Sequence, residues 1–220
     1  QLPRQPTFAL DGSDGRSHQL ADWRGRVVAL SVGYTHCPDV CPVTLSELKA
    51  AIEALPPSLR PRVQGVFATL DPARDPLPLL RDYLASFNPT GGAPLVGLRG
   101  DDADTARLIQ QLQLVAERQP GSDADYSLDH SAGVFLFNHH GQLLGVSPYG
   151  QPLARLRAAL LTLARLAPAS PAKQSMARHK LISLSEAVRR HTWDGMQYAS
   201  GAALPVGSDA IVFGRELLRQ

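Results

Sequence analysis

The 220-residue chain is poor in sulfur and in rings, with two cysteines, two methionines, two tryptophans and 6% aromatic residues in all. Two cysteines are too few for the disulfide framework of a small secreted scaffold, and they fit a redox or metal pair better. No stretch approaches the roughly 20 consecutive apolar residues of a membrane-spanning helix. Neither sign of charge is in excess: 22 basic residues against 20 acidic ones leave a formal net charge of +2. Without a basic stripe or an acidic block, nothing proposes nucleic acid as a partner. There is no internal repeat. Gln1-Leu2-Pro3-Arg4 is neither an initiator methionine nor a signal-peptide start, so the expectation is a processed or truncated beginning that an anchor or targeting segment preceded.

What is present is concentrated. Both cysteines lie in the ten residues Gly33-Tyr34-Thr35-His36-Cys37-Pro38-Asp39-Val40-Cys41-Pro42. The apolar run 26–33 before them reads as a strand buried on both faces. Val43, Leu45, Leu48, Ile52 and Leu55 after them recur at helical spacing, which predicts a helix from about Pro42 to Ala54. Thr44 and Glu47, in capping-box spacing, offer a slightly later start. The two sulfurs are therefore expected at a strand-to-helix turn.

The rest of the chain alternates. Phe8-Ala9-Leu10 and His18-Gln19-Leu20 flank a Gly/Asp turn and predict a leading hairpin. Strands are expected at 63–70 and 95–98, and helices at 77–87 and 102–113, with Asp71-Pro72-Ala73-Arg74-Asp75-Pro76 as a loop at a strand's carboxyl end, where sites gather in open α/β sheets. A polar loop over 117–129 leads into a hairpin of 131–137 and 142–146, closed by Asn138-His139-His140-Gly141. Leucines 153, 156, 160, 163 and 166 form a last helical stripe. The order implies an α/β sandwich with a mixed central sheet in the thioredoxin-like layout over residues 1–166. A Pro/Ala linker, 167–175, and a C-terminal extension, 176–220, with helices expected near 184–190 and 210–219, complete the chain. Forty-five residues can scarcely build a core alone.

For the cysteine pair three readings compete: a structural disulfide, a dithiol redox couple and a soft-metal site. A helix N-terminus favours thiolate at Cys37 or Cys41, which would serve either active role. Three intervening residues give a wider bite than the two usual in thioredoxin chemistry. Soft thiolates select Cu(I), and an added imidazole accommodates Cu(II). Seven histidines are available as a third ligand. His139 and His140 read as solvated turn residues, His36 adjoins Cys37 but neighbours in a tight turn often point apart, and His18, His179 and His191 lie outside the expected site. His130 stands where the polar loop enters a buried strand, a position that on sequence alone favours a hydrogen-bonded structural histidine over a ligand.

The cysteine loop 33–42, the segment Asp71-Pro72-Ala73-Arg74-Asp75 and the segment Asp125-Tyr126-Ser127-Leu128-Asp129-His130-Ser131-Ala132 together resemble, in the right order, the signatures of the Sco/SenC family of copper chaperones, over about residues 5–166. The resemblance implies a thioredoxin fold and copper, Cu(I) or Cu(II), held by Cys37, Cys41 and His130. It implies delivery of copper to the CuA centre of cytochrome c oxidase subunit II or another copper-accepting protein, or reduction of that centre's cysteines by Cys37 and Cys41 as redox thiols. It also implies a periplasmic or outward-facing place on a bacterial inner membrane, through an anchor absent from this chain. Asp39, Asp71, Asp75 and Asp129 read first as turn-forming or capping residues. A peroxiredoxin-like peroxidase shares the fold but wants an activating arginine that this sequence does not identify. Asn138 replaces the acidic residue that commonly opens the family's last hairpin turn. The tail from Met176 has no place in the family pattern and is weakly similar to the opening of a CoA-transferase subunit.

Overall fold

A computed structural model of the chain describes residues 5–119, 121 and 126–168; the two helices expected in the extension lie outside them. Among the described residues nine strands occur: β1 (Leu10–Gly12), β2 (Ser17–His18), β3 (Val27–Gly33), β4 (Val63–Thr69), β5 (Val96–Arg99), β6 (Ala116–Arg118), β7 (Leu128–His130), β8 (Gly133–Phe137) and β9 (Leu143–Pro148). Four α-helices alternate with them: α1 (Val40–Glu53), α2 (Leu77–Ala85), α3 (Asp102–Leu112) and α4 (Leu153–Leu166). Seven strands form one mixed sheet in the order β2-β1-β5-β4-β3-β8-β9. Strands β3, β4 and β5 run parallel, while β1 joins β5, and β8 joins β3, antiparallel. This is the expected thioredoxin-like sandwich, leading hairpin included.

The pleat of β3 divides the core. Val28, Leu30 and Val32 face one side, with Leu108 and Leu112 of α3, Leu20 and Trp23. Val27 and Ala29 face the other, against Leu48 and Ile52 of α1 and Leu156 and Leu160 of α4. Leu45 of α1 continues that layer onto Phe67 of β4 and Leu80 and Leu84 of α2. Burying each such side chain is worth about 1.5–3 kcal/mol, so the strand that ends at the cysteine loop is held from both faces. Gln113, with φ 51°, is the left-handed residue that stops α3.

Two expectations change. Helix α1 begins at Val40, two residues before Pro42, and Thr44 makes no capping box: its hydroxyl donates back to the Val40 carbonyl. The polar loop 117–129 also carries structure, because β6 and β7 pair antiparallel in a small second sheet, with Ala116 opposite His130 and Arg118 opposite Leu128. These three-residue strands are mostly exposed and show no apolar alternation, since each sets a single apolar residue, Ala116 or Leu128, against the core.

Candidate metal centre

Parallel pairing of β3 and β4 sets Gly33 beside Thr69, so the cysteine loop and the Asp71–Asp75 loop leave the sheet side by side. The Leu70 amide donates to the Gly33 carbonyl at 2.7 Å. Gly33 lacks the side chain that would occupy the space of the Cys41 sulfur: a Cβ there would collide with Cys41 Sγ and press on the Phe67 ring at 3.2 Å. Chain reversal after β3 then brings Cys37 and the start of α1 together, and the Cys41 amide points at Cys37 Sγ, 3.4 Å away.

Both cysteines are free thiols, Cys41 buried and Cys37 half-buried. His130 meets them from β7. Its Nε2 lies 3.4 Å from Cys41 Sγ, and its Nδ1 lies 2.9 Å from the Ser131 carbonyl. A carbonyl only accepts, so Nδ1 carries a proton, and in the neutral ring it is the Nε2 lone pair that faces the sulfur. Tyr34 packs edge-on against the ring, with centroids 5.9 Å apart. The ligand atoms of Cys37, Cys41 and His130 all lie within 4.8 Å of one another. Around a first-row ion with bonds of about 2.0–2.3 Å such atoms stand roughly 4 Å apart, so a contraction of about an ångström would close the set.

The electrostatics differ from a simple helix-terminus picture. Burial pushes the Cys41 thiol well above its ordinary value of 9.0; an amide bond from Tyr34 opposes this, and the neighbouring Cys37 and Asp75 add to it. Desolvation outweighs the helix N-terminus at this position, which corrects the expectation of a favoured thiolate at Cys41. Burial likewise raises the hydroxyl of Tyr83, with the two cysteines contributing.

The aspartates are more than turn formers. Asp75 is fully buried, and its carboxylate accepts from the Thr35 amide at 3.0 Å, the Thr35 hydroxyl and the Thr69 hydroxyl at 2.6 Å. It thereby grips the cysteine loop. Asp71, also buried, accepts from Arg74 Nε and from the Tyr126 hydroxyl, each at 2.6 Å. Asp39, before α1, makes no side-chain cap, and exposed Asp129 accepts from Gln119 at 2.7 Å. His36 stays outside the cluster, half exposed, with Nδ1 3.7 Å from Asp75. His18 stacks on Trp23 and bonds Asp14, and His139 and His140 pair with each other in the β8–β9 turn. His179 and His191 lie outside the described residues. Sequence reasoning missed Gly33, Tyr34, Thr35, Thr69, Arg74 and Tyr126; most stand inside the three segments quoted above, as polar residues against apolar strand ends.

Among known proteins, the chain is 36% identical over 140 residues to the human mitochondrial SCO2 homolog, 62% of this chain and 51% of that one. It spans about half the length of the mammalian relatives it matches. The solved structure of Bradyrhizobium japonicum ScoI with copper bound superimposes with a TM-score of 0.63 at 29% identity, covering 73% of this chain and 99% of that one. The solution structure of apo Sco1 from Thermus thermophilus does so with a TM-score of 0.63 at 34% identity, covering 74% and 94%. The SCO1/SenC family model matches residues 2–165, from the leading hairpin through both loops and His130 to the end of α4, and the chain belongs to the SCO1/SenC family.

Proposed function

We propose that this chain is a copper metallochaperone, taking copper on Cys37, Cys41 and His130 and delivering it to the CuA centre of cytochrome c oxidase subunit II or another copper-accepting protein, on the outward face of a bacterial inner membrane. The observation that carries this reading is the convergence of two free thiols with an imidazole whose Nε2 faces them while its Nδ1 is taken by the Ser131 carbonyl. A relative of 29% identity holds copper, and thiolate with imidazole is a donor set for Cu(I) and Cu(II) alike. Copper is cargo here. Cys37, the more accessible sulfur, is the natural first point of exchange with an acceptor thiolate, and Cys41 gives up its proton to the solvent when it takes the ion.

The alternative, reduction of the acceptor's cysteines by the same pair, is weaker, since burial opposes ionisation of Cys41 and leaves Cys37 as the one accessible attacking thiol. The test is Cu(II) loading of thiol-reduced protein followed by chelator competition in the parent and in Cys37→Ser, Cys41→Ser and His130→Ala. All three variants should lose copper to the chelator before the parent does. Equal retention in the parent and His130→Ala would remove the histidine from the site, and equal retention in all four would end the reading.

A further inference from the structure

The three residues of the cluster arrive on different pieces of the fold. Cys37 and Cys41 follow β3 of the large sheet, whereas His130 ends β7, which pairs only with β6 in the small one. No ladder joins the two sheets among the described residues. Below His130 the chain runs on through Ser131 and Ala132 into β8; above it, Ala116 and Leu128 rest on the core, and polar and ring contacts supply the remaining fastenings to the cysteine half.

Those fastenings converge on one loop. Asp75, at its end, holds Thr35 of the cysteine loop. Asp71, at its start, takes the hydroxyl of Tyr126, four residues before His130. Arg74 lies between, bonded to Asp71 and centred over the Tyr126 ring at 3.5 Å, while Arg118 of β6 is centred over the same ring at 3.8 Å. Two guanidinium carbons that near one centroid cannot share a face, so the ring is sandwiched between them. Arg74 Nη2 is buried without a hydrogen-bond acceptor among the described residues, which leaves the tyrosine ring as its compensation. Beside this sandwich the Leu128 amide donates to the Tyr34 hydroxyl at 3.2 Å.

We infer that the Asp71–Asp75 loop is a bracket joining the two halves of the site, in which Asp71, Arg74 and Tyr126 are positioning residues that hold His130 over the sulfurs. Resting on the copper reading above, the inference has a specific consequence for the ion's oxidation state. Two thiolates satisfy Cu(I), and the imidazole is what Cu(II) adds. Opening the bracket removes the histidine and spares the cysteines, so it selects against Cu(II).

The test uses Tyr126→Leu, which removes both the hydroxyl and the ring, and Tyr126→Phe, which keeps the ring between its guanidiniums. In the metal-free protein, hydrogen exchange at the Leu128 amide should quicken in Tyr126→Leu, with a smaller change in Tyr126→Phe. With copper, Tyr126→Leu should bind Cu(II) about ten- to a hundredfold more weakly and lose nitrogen hyperfine coupling in its electron paramagnetic resonance spectrum, while Cu(I) affinity holds against a Cu(I)-selective chelator. Unchanged Leu128 exchange, unchanged nitrogen coupling, or a parallel loss of Cu(I) and Cu(II) would each overturn the bracket. Failure of the parent to bind copper would instead defeat the copper reading, and the metal-free exchange measurement would still judge the bracket.

Discussion

His130 and Cys41 are opposite in their protonation. The ring keeps a proton on Nδ1, where Ser131 accepts it, and offers Nε2 bare, whereas burial keeps the Cys41 thiol protonated. A group whose folded pKa is raised above its unfolded value contributes stability that is fully present below the unfolded pKa and is lost as pH rises beyond it. Metal-free protein should therefore lose about 1.4 kcal/mol of stability per pH unit for this proton once pH exceeds about 9. Urea denaturation at pH 8, 9 and 10 would measure the slope, and Cys41→Ser should flatten it; Tyr83 adds its own loss only at still higher pH. At Gly33 the constraint is space. Gly33→Ala should cost about 1–3 kcal/mol through overpacking and, by displacing the Cys41 sulfur, should weaken copper retention in the same chelator assay.

Among elements, the end of β4 matters most. Thr69 donates to Asp75 and accepts from the Asp71 amide at 3.0 Å, so one hydroxyl serves both ends of the loop that follows. Thr69→Val, nearly equal in volume, would take one of three donors from a buried carboxylate and strand a buried amide. The expected loss is about 1–3 kcal/mol, read from urea midpoints at constant slope. These dependencies explain what could and could not be read beforehand. Strands β3 and β4 and helix α1 announced themselves through apolar runs and 3.6-residue spacing because each buries a face. Strands β6 and β7 bury little and gave no period. Asp71 and Asp75 looked like solvated turn residues because their partners, Tyr126 and Thr35, stand 55 and 40 residues away. Helix α1 starts two residues before Pro42 because the third helical position, like the first, has an N–H without an intrahelical partner and so accepts a proline.

At the scale of the molecule, the alternation of strands and helices made the sandwich legible, and the three cluster residues were legible through the family's segments. Sequence position alone favoured a structural His130: nothing local marks a histidine whose neighbours come from elsewhere in the chain. Copper binding should be visible in global stability. Free copper at a hundredfold excess over Kd would add about 2.7 kcal/mol to the folded state, provided the unfolded chain does not compete. Differential scanning calorimetry should show a Tm rise of several degrees in reduced parent protein, reversed by chelation and absent in Cys41→Ser.

Cys41 and His130 are 89 residues apart in the chain. An ion held by both ties a loop of that length shut, restricting far more of the chain than the short link between Cys37 and Cys41. The cargo is thus a removable crosslink spanning β4, β5 and the helices between. Letting go of the histidine alone, with both sulfurs still on the ion, removes that crosslink. The sheet keeps the loop closed in the folded donor, so the restriction falls on the unfolded chain, and a donor that has released its histidine is easier to unfold.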